Sequence, residues 1–354
     1  MKIGISLLLL SLVASLAALC TCSLGVEGSA GSWQEKGQEL GRNGSYEEAV
    51  KAYDNALELD EKNAEAWLRK GIVLSLWAGS TNDKSLYEDA INAFEETIEL
   101  APKQTIGRLV KANALLNLGR YNESLETLDE AIEVASQASE KAQIWFEKAH
   151  LFAEQGNFNE TAEALEKVIV LAPQDIDLLI DGGVLLSSVL GRYDEALEYY
   201  ERALQIDPDN KLAWINKANA LTMLNRTDEA TGAYQEALNI TNKSLMADPE
   251  DSDLWAEKGL LLHNVGSSEE AVKAFANATH IDPMDEISWK MMGVLLASEL
   301  HRYDEAAQAF DGALKVNPED AQVWSLKADA LEALGKSAEA EAALAKAREK
   351  GYEG

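Results

Sequence analysis

Few side chains in this sequence are of the types that catalyse reactions or bind metals. Its 354 residues include four histidines and two cysteines, and no two histidines have the spacing of metal ligands. The sequence contains neither the phosphate-binding loop GxxxxGK(S/T) nor the nucleophile motif GxSxG. We therefore predict that the protein is not an enzyme and that it has no catalytic residue, no metal site and no cofactor.

One acidic stretch has the carboxylates that a calcium site would need. Residues 248–253 read Asp-Pro-Glu-Asp-Ser-Asp. They lack the regular ligand spacing of a calcium-binding loop. We interpret this stretch as a proline-containing linker between two helices.

Several asparagines are candidates for a covalent modification, N-linked glycosylation. Seven asparagines begin an Asn-x-Ser/Thr sequence, the acceptor of N-linked glycans, where random placement would give about two. These candidates are Asn43, Asn122, Asn159, Asn225, Asn239, Asn242 and Asn277. Chance, together with the preference of asparagine for turns, is the alternative explanation.

The charge balance argues against one class of partner. The chain has 31 Lys and Arg against 61 Asp and Glu, a net charge of −30. This charge repels phosphate backbones, so we predict no nucleic-acid partner. Hydrophobic residues make up 47% of the chain, which is enough for a folded core.

The N-terminus has the pattern of an export signal. Lys2 precedes an uncharged run from Ile3 to Cys22, and a basic start before an apolar stretch is typical of a secretory signal peptide. The run is also long enough to span a bilayer as a retained anchor over residues 3–22. We predict a signal peptide or membrane anchor at 1–22, a linker at 23–29 and an exported, extracellular or cell-surface protein. A lipid-modified Cys20 and a buried N-terminal helix are the other interpretations.

A pattern anchored on tryptophan repeats along the rest of the chain. After Trp255, small or apolar residues recur at 259, 262, 271, 275 and 278, and Pro283 follows. This spacing predicts two amphipathic helices joined by a short turn. Glycines such as Gly119 lie where a first helix must stop, and prolines lie where the next helix begins. We expect the tryptophans, Trp214 among them, to be buried.

The pattern resembles the tetratricopeptide repeat, a helix-turn-helix unit with a Trp, Gly, Tyr, Ala, Phe, Ala, Pro signature. The resemblance covers residues 30–354 and implies an all-α fold, a right-handed α-solenoid of nine repeats. The predicted repeats begin at Ala30, Ala64, Thr105, Ala142, Ile176, Lys211, Ser252, Glu286 and Ala321. Shared local sequences divide them into three modules of three repeats, 30–141, 142–251 and 252–354. Duplication history without present use is one interpretation of this division, and a groove with a threefold pattern is the other.

The resemblance also implies where a ligand binds. In this family the first helices line a concave groove and the second helices form the outer wall. The residues it places in the groove include Leu109, Asn113, Asn117, Ile215, Asn216, Asn219 and Asp329. An amide side chain both donates and accepts, so Asn113 and Asn219 are candidate anchors for a peptide backbone. Their alternative role is a cap or a hydrogen bond within the array.

Seven repeats carry a lysine three residues after the tryptophan position. A row of lysines could bind a polyanion. We predict instead that each stem covers apolar surface while its ammonium meets a nearby carboxylate.

These features together predict an interaction scaffold outside the cytoplasm, which binds an extended segment or a helix of a protein or peptide partner. The membrane would be contacted only through the N-terminal segment, and the oligomeric state stays open. The alternative is a glycosylated structural or carbohydrate-contacting cell-surface protein in which the array is a spacer. A third possibility is an accessory subunit of an enzyme.

Overall fold

A computed structural model describes residues 28–352, and every regular element in that range is an α-helix. The eighteen helices of this range form nine hairpins, each with a first helix, a short turn and a second helix. Two compact bodies contain them: the N-terminal body ends at Pro173, and the C-terminal body begins at Gln174. The predicted all-α solenoid fold of paired helices is confirmed. The predicted signal or anchor at 1–22 lies outside the described residues, as does the linker up to residue 27.

The N-terminal body has four hairpins, formed by α1 (Ala30–Arg42), α2 (Tyr46–Leu59), α3 (Ala64–Thr81), α4 (Lys84–Leu100), α5 (Ile106–Asn117), α6 (Tyr121–Val134), α7 (Ala138–Glu154) and α8 (Phe158–Leu171). The C-terminal body has five, formed by α9 (Ile176–Ser188), α10 (Tyr193–Ile206), α11 (Lys211–Met223), α12 (Thr227–Ala247), α13 (Ser252–Asn264), α14 (Ser268–Ile281), α15 (Glu286–Ser298), α16 (Tyr303–Val316), α17 (Ala321–Ala333) and α18 (Ser337–Glu349).

Helix starts follow the predicted repeat starts closely, with one shift of a full turn. The fourth repeat is predicted from Ala142, whereas α7 begins at Ala138. No proline separates the third and fourth repeats, so the residues before Ala142 are free to join the helix. The sixth repeat, from Lys211 to the next repeat start at Ser252, is longer than a typical unit, and its added residues lengthen α12 to 21 residues.

Short polar side chains fix where the first helices begin. The side chains of Asp175, Asn210 and Asp251 each accept a hydrogen bond from a backbone amide in the first turn of the helix that follows. Asp251 accepts from the Leu254 amide at 3.0 Å. The acidic stretch at 248–253 thus contains the linker interpreted from the sequence, and Asp251 within it also caps α13.

A contact between a small residue and a ring closes many hairpins. A Cβ added to Gly259 on α13 would lie 2.7 Å from the Phe275 ring on α14, and one added to Gly183 would lie 2.5 Å from the Tyr200 ring. Leucine takes the place of the ring in three of the four repeats whose small residue is an alanine, and the sixth repeat has Ala218 with the Tyr234 ring. The three pairs with leucine are Ala112 with Leu128, Ala149 with Leu165, and Ala328 with Leu344. Size matching at this position sets how closely the two helices of a hairpin approach.

The tryptophans are not core residues, and the expectation of a buried Trp214 is wrong. Trp214 is half-buried, and its indole Nε1 donates to the Pro208 carbonyl at 2.9 Å. Trp255 and Trp324 make the same bond to the carbonyl six residues earlier. In the third repeat Arg108 replaces the tryptophan, and its Nη1 donates to the Pro102 carbonyl at 3.0 Å. In five repeats the indole ring therefore ties the first helix to the linker before it, because its polar edge needs a partner.

Candidate functional site

The helices that carry the exposed apolar side chains differ between the two bodies. In the N-terminal body, the exposed large hydrophobic side chains lie on second helices, with Val170 at 74% exposure. In the C-terminal body, most lie on first helices, where Leu212 is 55% and Met223 is 59% exposed. A concentration of exposed apolar residues on one face is typical of a binding surface. The C-terminal body is therefore the better candidate for a binding site.

Most of these residues occupy two positions that recur in every first helix. Leu212 is the second residue of α11, and Asn219 is the ninth. Residues seven apart lie two helical turns from each other on one side of a helix. We call the ten residues at these two positions in the C-terminal body the row face. The row face consists of Asp177, Leu212, Asp253, Ile287 and Gln322 at the second position, and Val184, Asn219, Leu260, Val294 and Asp329 at the ninth.

Asn219 is held by a bond across its own hairpin. The Tyr234 hydroxyl on α12 donates to Asn219 Oδ1 at 2.6 Å. Tyr234 is buried, whereas Asn219 is exposed. This bond engages the amide oxygen of Asn219, and the amide nitrogen has no hydrogen-bond partner among the described residues. This bond is the alternative role foreseen for Asn219, a hydrogen bond within the array, and an anchor role for its amide nitrogen stays a prediction.

The other predicted groove residues of the C-terminal body have less defined surroundings. Ile215 and Asn216 on α11 are half-buried, and Asp329 on α17 is exposed at the ninth position. Only Asn219 and Asp329 of the predicted set belong to the row face. The resemblance did not place Ile287 among the groove residues. Its place at the second position of a first helix becomes visible only when the repeats are aligned.

The predicted anchor of the N-terminal body, Asn113, takes part in a hydrogen bond within its own helix. Asn117 Nδ2 donates to the backbone oxygen of Asn113 at 2.9 Å and to its Oδ1 at 3.0 Å. The Asn113 side chain thus accepts a hydrogen bond within α5, which is the alternative role foreseen for Asn113. Leu109 is half-buried and packs against a core cluster that includes Leu128. Whether these three residues bind a ligand stays a prediction.

The lysines after the tryptophan position pair with carboxylates, as predicted. Lys70 Nζ lies 2.6 Å from Asp54 and 5.0 Å from the centre of the Trp67 ring. The same ion pair to the preceding repeat is made by Lys111, Lys148, Lys217 and Lys327. The prediction is confirmed for these five lysines, whose ammonium groups pair with carboxylates of the neighbouring repeat.

The glycosylation candidates lie at the surface. Asn225 is in a turn and Asn277 is on a second helix, and both are exposed. Asn242 is half-buried, and the remaining candidates are exposed. Several of the hydroxyl partners are buried, however, such as Ser124, whose Oγ donates to the Ala112 carbonyl at 2.7 Å. Packing therefore explains part of the excess of these sequences.

Within residues 28–352 there is neither a metal-binding cluster nor a membrane-spanning helix. No three His, Cys, Asp or Glu side chains in this range are grouped so that they could hold a metal ion. None of the helices in the same range has both the length and the apolar character needed to cross a bilayer.

Family models of the tetratricopeptide repeat match much of the chain. One matches residues 190–231, and a second matches 83–133, 109–176 and 291–353. A third, described as a TPR repeat, matches residues 37–75.

Curated relatives match about half of this chain. A peroxisomal targeting signal receptor of Komagataella phaffii is 28% identical over 52% of this chain and 31% of its own length. A protein O-mannosyl-transferase of Homo sapiens is 25% identical over 52% of this chain and 20% of its own length. An N-terminal acetyltransferase A complex auxiliary subunit of Arabidopsis thaliana is 30% identical over 47% of this chain and 18% of its own length. The chain thus spans less than a third of each of these relatives.

Solved structures with similar helices include YrrB, described as a TPR protein with an unusual peptide-binding site. It is 24% identical, covers 54% of this chain and 93% of its own, and has a TM-score of 0.41. A crystal structure of MamA is 19% identical, covers 46% of this chain and 91% of its own, and has a TM-score of 0.37.

Proposed function

Because the chain belongs to the tetratricopeptide repeat family, we propose that it is a non-enzymatic scaffold that binds a protein partner on the row face. The partner contributes an extended segment or a helix. The observation that carries this proposal is the exposure of Leu212, Leu260 and Ile287 on first helices of one body, at 55%, 40% and 69%. The receptor and the auxiliary subunit among the relatives have names that fit such a role. The transferase among them is an enzyme, but it is matched over only 20% of its length.

Burial of the apolar residues supplies the affinity, and Asn219 sets the register. Removing apolar surface from water gains about 25 cal/mol per Å². The amide nitrogen of Asn219 donates to a backbone carbonyl of the bound segment. Peptide backbones present such carbonyls at regular intervals, so one fixed donor selects one alignment.

Two matched variants of the full chain test this proposal. The row variant carries Leu212→Ser, Leu260→Ser and Ile287→Ser. The control carries Leu59→Ser, Leu100→Ser and Val170→Ser, at exposed residues of second helices. A partner is first identified by cross-linking in the source cells, and its affinity is then measured by calorimetry. We expect the row variant to lose at least about tenfold in affinity, as for central apolar contacts, and the control to stay near wild type. Equal affinities of the row variant and wild type would overturn the proposal.

We further propose that the protein acts outside the cytoplasm. Lys2 and the uncharged run from Ile3 to Cys22 support export. Mass spectrometry of the native protein tests this. We expect the mature chain to start after residue 18 or to be retained in the membrane fraction. A soluble cytosolic protein with an intact Met1 would contradict export.

A glycosylated spacer is the second candidate function. The exposure of most glycosylation candidates favours it, Asn225 in a turn among them. Enzymatic removal of N-linked glycans separates the two functions. A spacer loses its function with the glycans and keeps it in the row variant, whereas a scaffold shows the reverse.

A further inference from the structure

We propose that the segment bound by the row face is cationic as well as apolar, with Lys or Arg side chains between its apolar ones. This inference rests on the proposed function, since it specifies the partner of the same surface. It follows from the order of side chains along the row face and from the pairing of the charges around it.

Acidic and apolar residues alternate over the first four of the five second positions of the row face, and Gln322 is the fifth. In chain order the four alternating residues are Asp177, Leu212, Asp253 and Ile287. Two pairs of neighbouring first helices contact each other in this body, α9 with α11 and α15 with α17. A ligand lying across the helices therefore meets a carboxylate and an apolar side chain in turn.

The cations of these helices are already engaged. Lys211 Nζ lies 2.7 Å from Glu257, and Lys290 Nζ lies 3.1 Å from Asp320. Lys217 and Lys327 pair with carboxylates on the preceding second helices. Lys258 lies over the Trp255 ring, with its Nζ 4.9 Å from the ring centre. Few free cations therefore remain near the row face.

The carboxylates of the row face have no such partners. Among residues 28–352, Asp177, Asp253 and Asp329 make no ion pair, and all three are exposed. Partial burial raises the pKa of nearby Asp181, and the charges of Asp177 and Asp175 raise it further. An incoming cation relieves this repulsion. The row face itself carries three carboxylates and no cation.

This charge pattern separates classes of ligand. Anionic segments and anionic lipid surfaces are repelled by the carboxylates. A metal ion alone has no group of three ligands within the described residues, and it would leave Leu212 and Ile287 uncovered. A segment with both apolar and cationic side chains complements both kinds of residue.

Two synthetic peptides with the full chain test the inference. Both have leucines at alternate positions, and the positions between hold lysine in one peptide and glutamate in the other. Fluorescence anisotropy measures their affinity at physiological salt. We expect the lysine peptide to bind at least about tenfold more tightly.

Charge variants show whether the row face is responsible. The test variant carries Asp177→Asn, Asp253→Asn and Asp329→Asn. A control with the same change in net charge carries Asp89→Asn, Asp194→Asn and Asp228→Asn, at exposed residues of second helices. We expect the test variant to lose the preference for lysine and the control to keep it.

Three results would overturn the inference. They are equal affinity for both peptides, loss of the preference in the control, and no binding of either peptide. None of them decides the proposed function, because the serine variants with the native partner test that function separately.

Discussion

At the scale of single residues, the hydrogen bond between Tyr234 and Asn219 leads to the most specific prediction about partner binding. The phenol donates to the amide oxygen at 2.6 Å and so holds the amide in one orientation. We predict that Tyr234→Phe leaves the fold intact but weakens binding of the partner segment several-fold, because the freed amide can rotate. The loss of one hydrogen bond costs about 1 kcal/mol in stability. Calorimetric titration and a thermal melt measure the two effects.

A neighbouring tyrosine provides the control for this variant. The Tyr200 hydroxyl lies 3.2 Å from Ser187 Oγ and touches no residue of the row face through that bond. Tyr200→Phe should reduce stability by a similar amount and leave affinity unchanged. If both variants weaken binding equally, Tyr234 does not act through Asn219.

Sequence reasoning found Asn219 but not the group that orients it. The resemblance to a repeat family placed Asn219 on the ligand side of a first helix. Tyr234 lies fifteen residues later in the chain, on the opposite helix of the hairpin. Which atom it reaches depends on how closely the two helices pack beside Ala218, and spacing alone does not give that distance.

At the scale of helices, size matching across the hairpin sets the packing. A Cβ at position 259 would lie 2.7 Å from the Phe275 ring. Overpacking of this kind costs about 1–3 kcal/mol, while alanine gains about 1 kcal/mol in helix propensity over glycine. We predict that Gly259→Ala lowers the free energy of unfolding by up to about 2 kcal/mol. Chemical denaturation of the full chain measures it.

The leucine that accompanies alanine elsewhere supplies the test of mechanism. Phe275→Leu alone should destabilise the hairpin by leaving a void. Combined with Gly259→Ala, it should cost less than the sum of the two single changes, because the pair then matches Ala149 and Leu165 in the fourth repeat. Strictly additive losses would show that this contact does not limit the approach of the helices.

Helix order and helix ends could be predicted well, because local chemistry fixes both. Glycine at a left-handed turn, such as Gly119 with φ 77°, and a capping side chain are legible in the sequence. The burial of individual side chains was harder to predict. Trp214 was expected in the core because of its size, yet its indole bonds to the linker at the surface.

At the scale of the whole molecule, charge repulsion opposes folding. The net charge is −30, so many carboxylates lack a cation even with every lysine and arginine paired. Exposed ion pairs such as Lys51 with Glu47, at 2.6 Å, stabilise little. Repulsion among the excess carboxylates is spread over the surface and acts over about a Debye length. Charge repulsion therefore costs the folded state more free energy than it costs the unfolded chain.

This cost makes stability depend on salt in a direction that can be checked. We predict that raising sodium chloride from about 0.02 M to about 0.5 M increases the urea midpoint of the full chain, because the Debye length falls from about 20 Å to about 4 Å and repulsion is screened. Choline chloride should have the same effect at equal ionic strength, which separates screening from binding of a particular cation. A midpoint that falls with both salts would mean that the ion pairs between repeats, such as Lys70 with Asp54, contribute more than the repulsion costs.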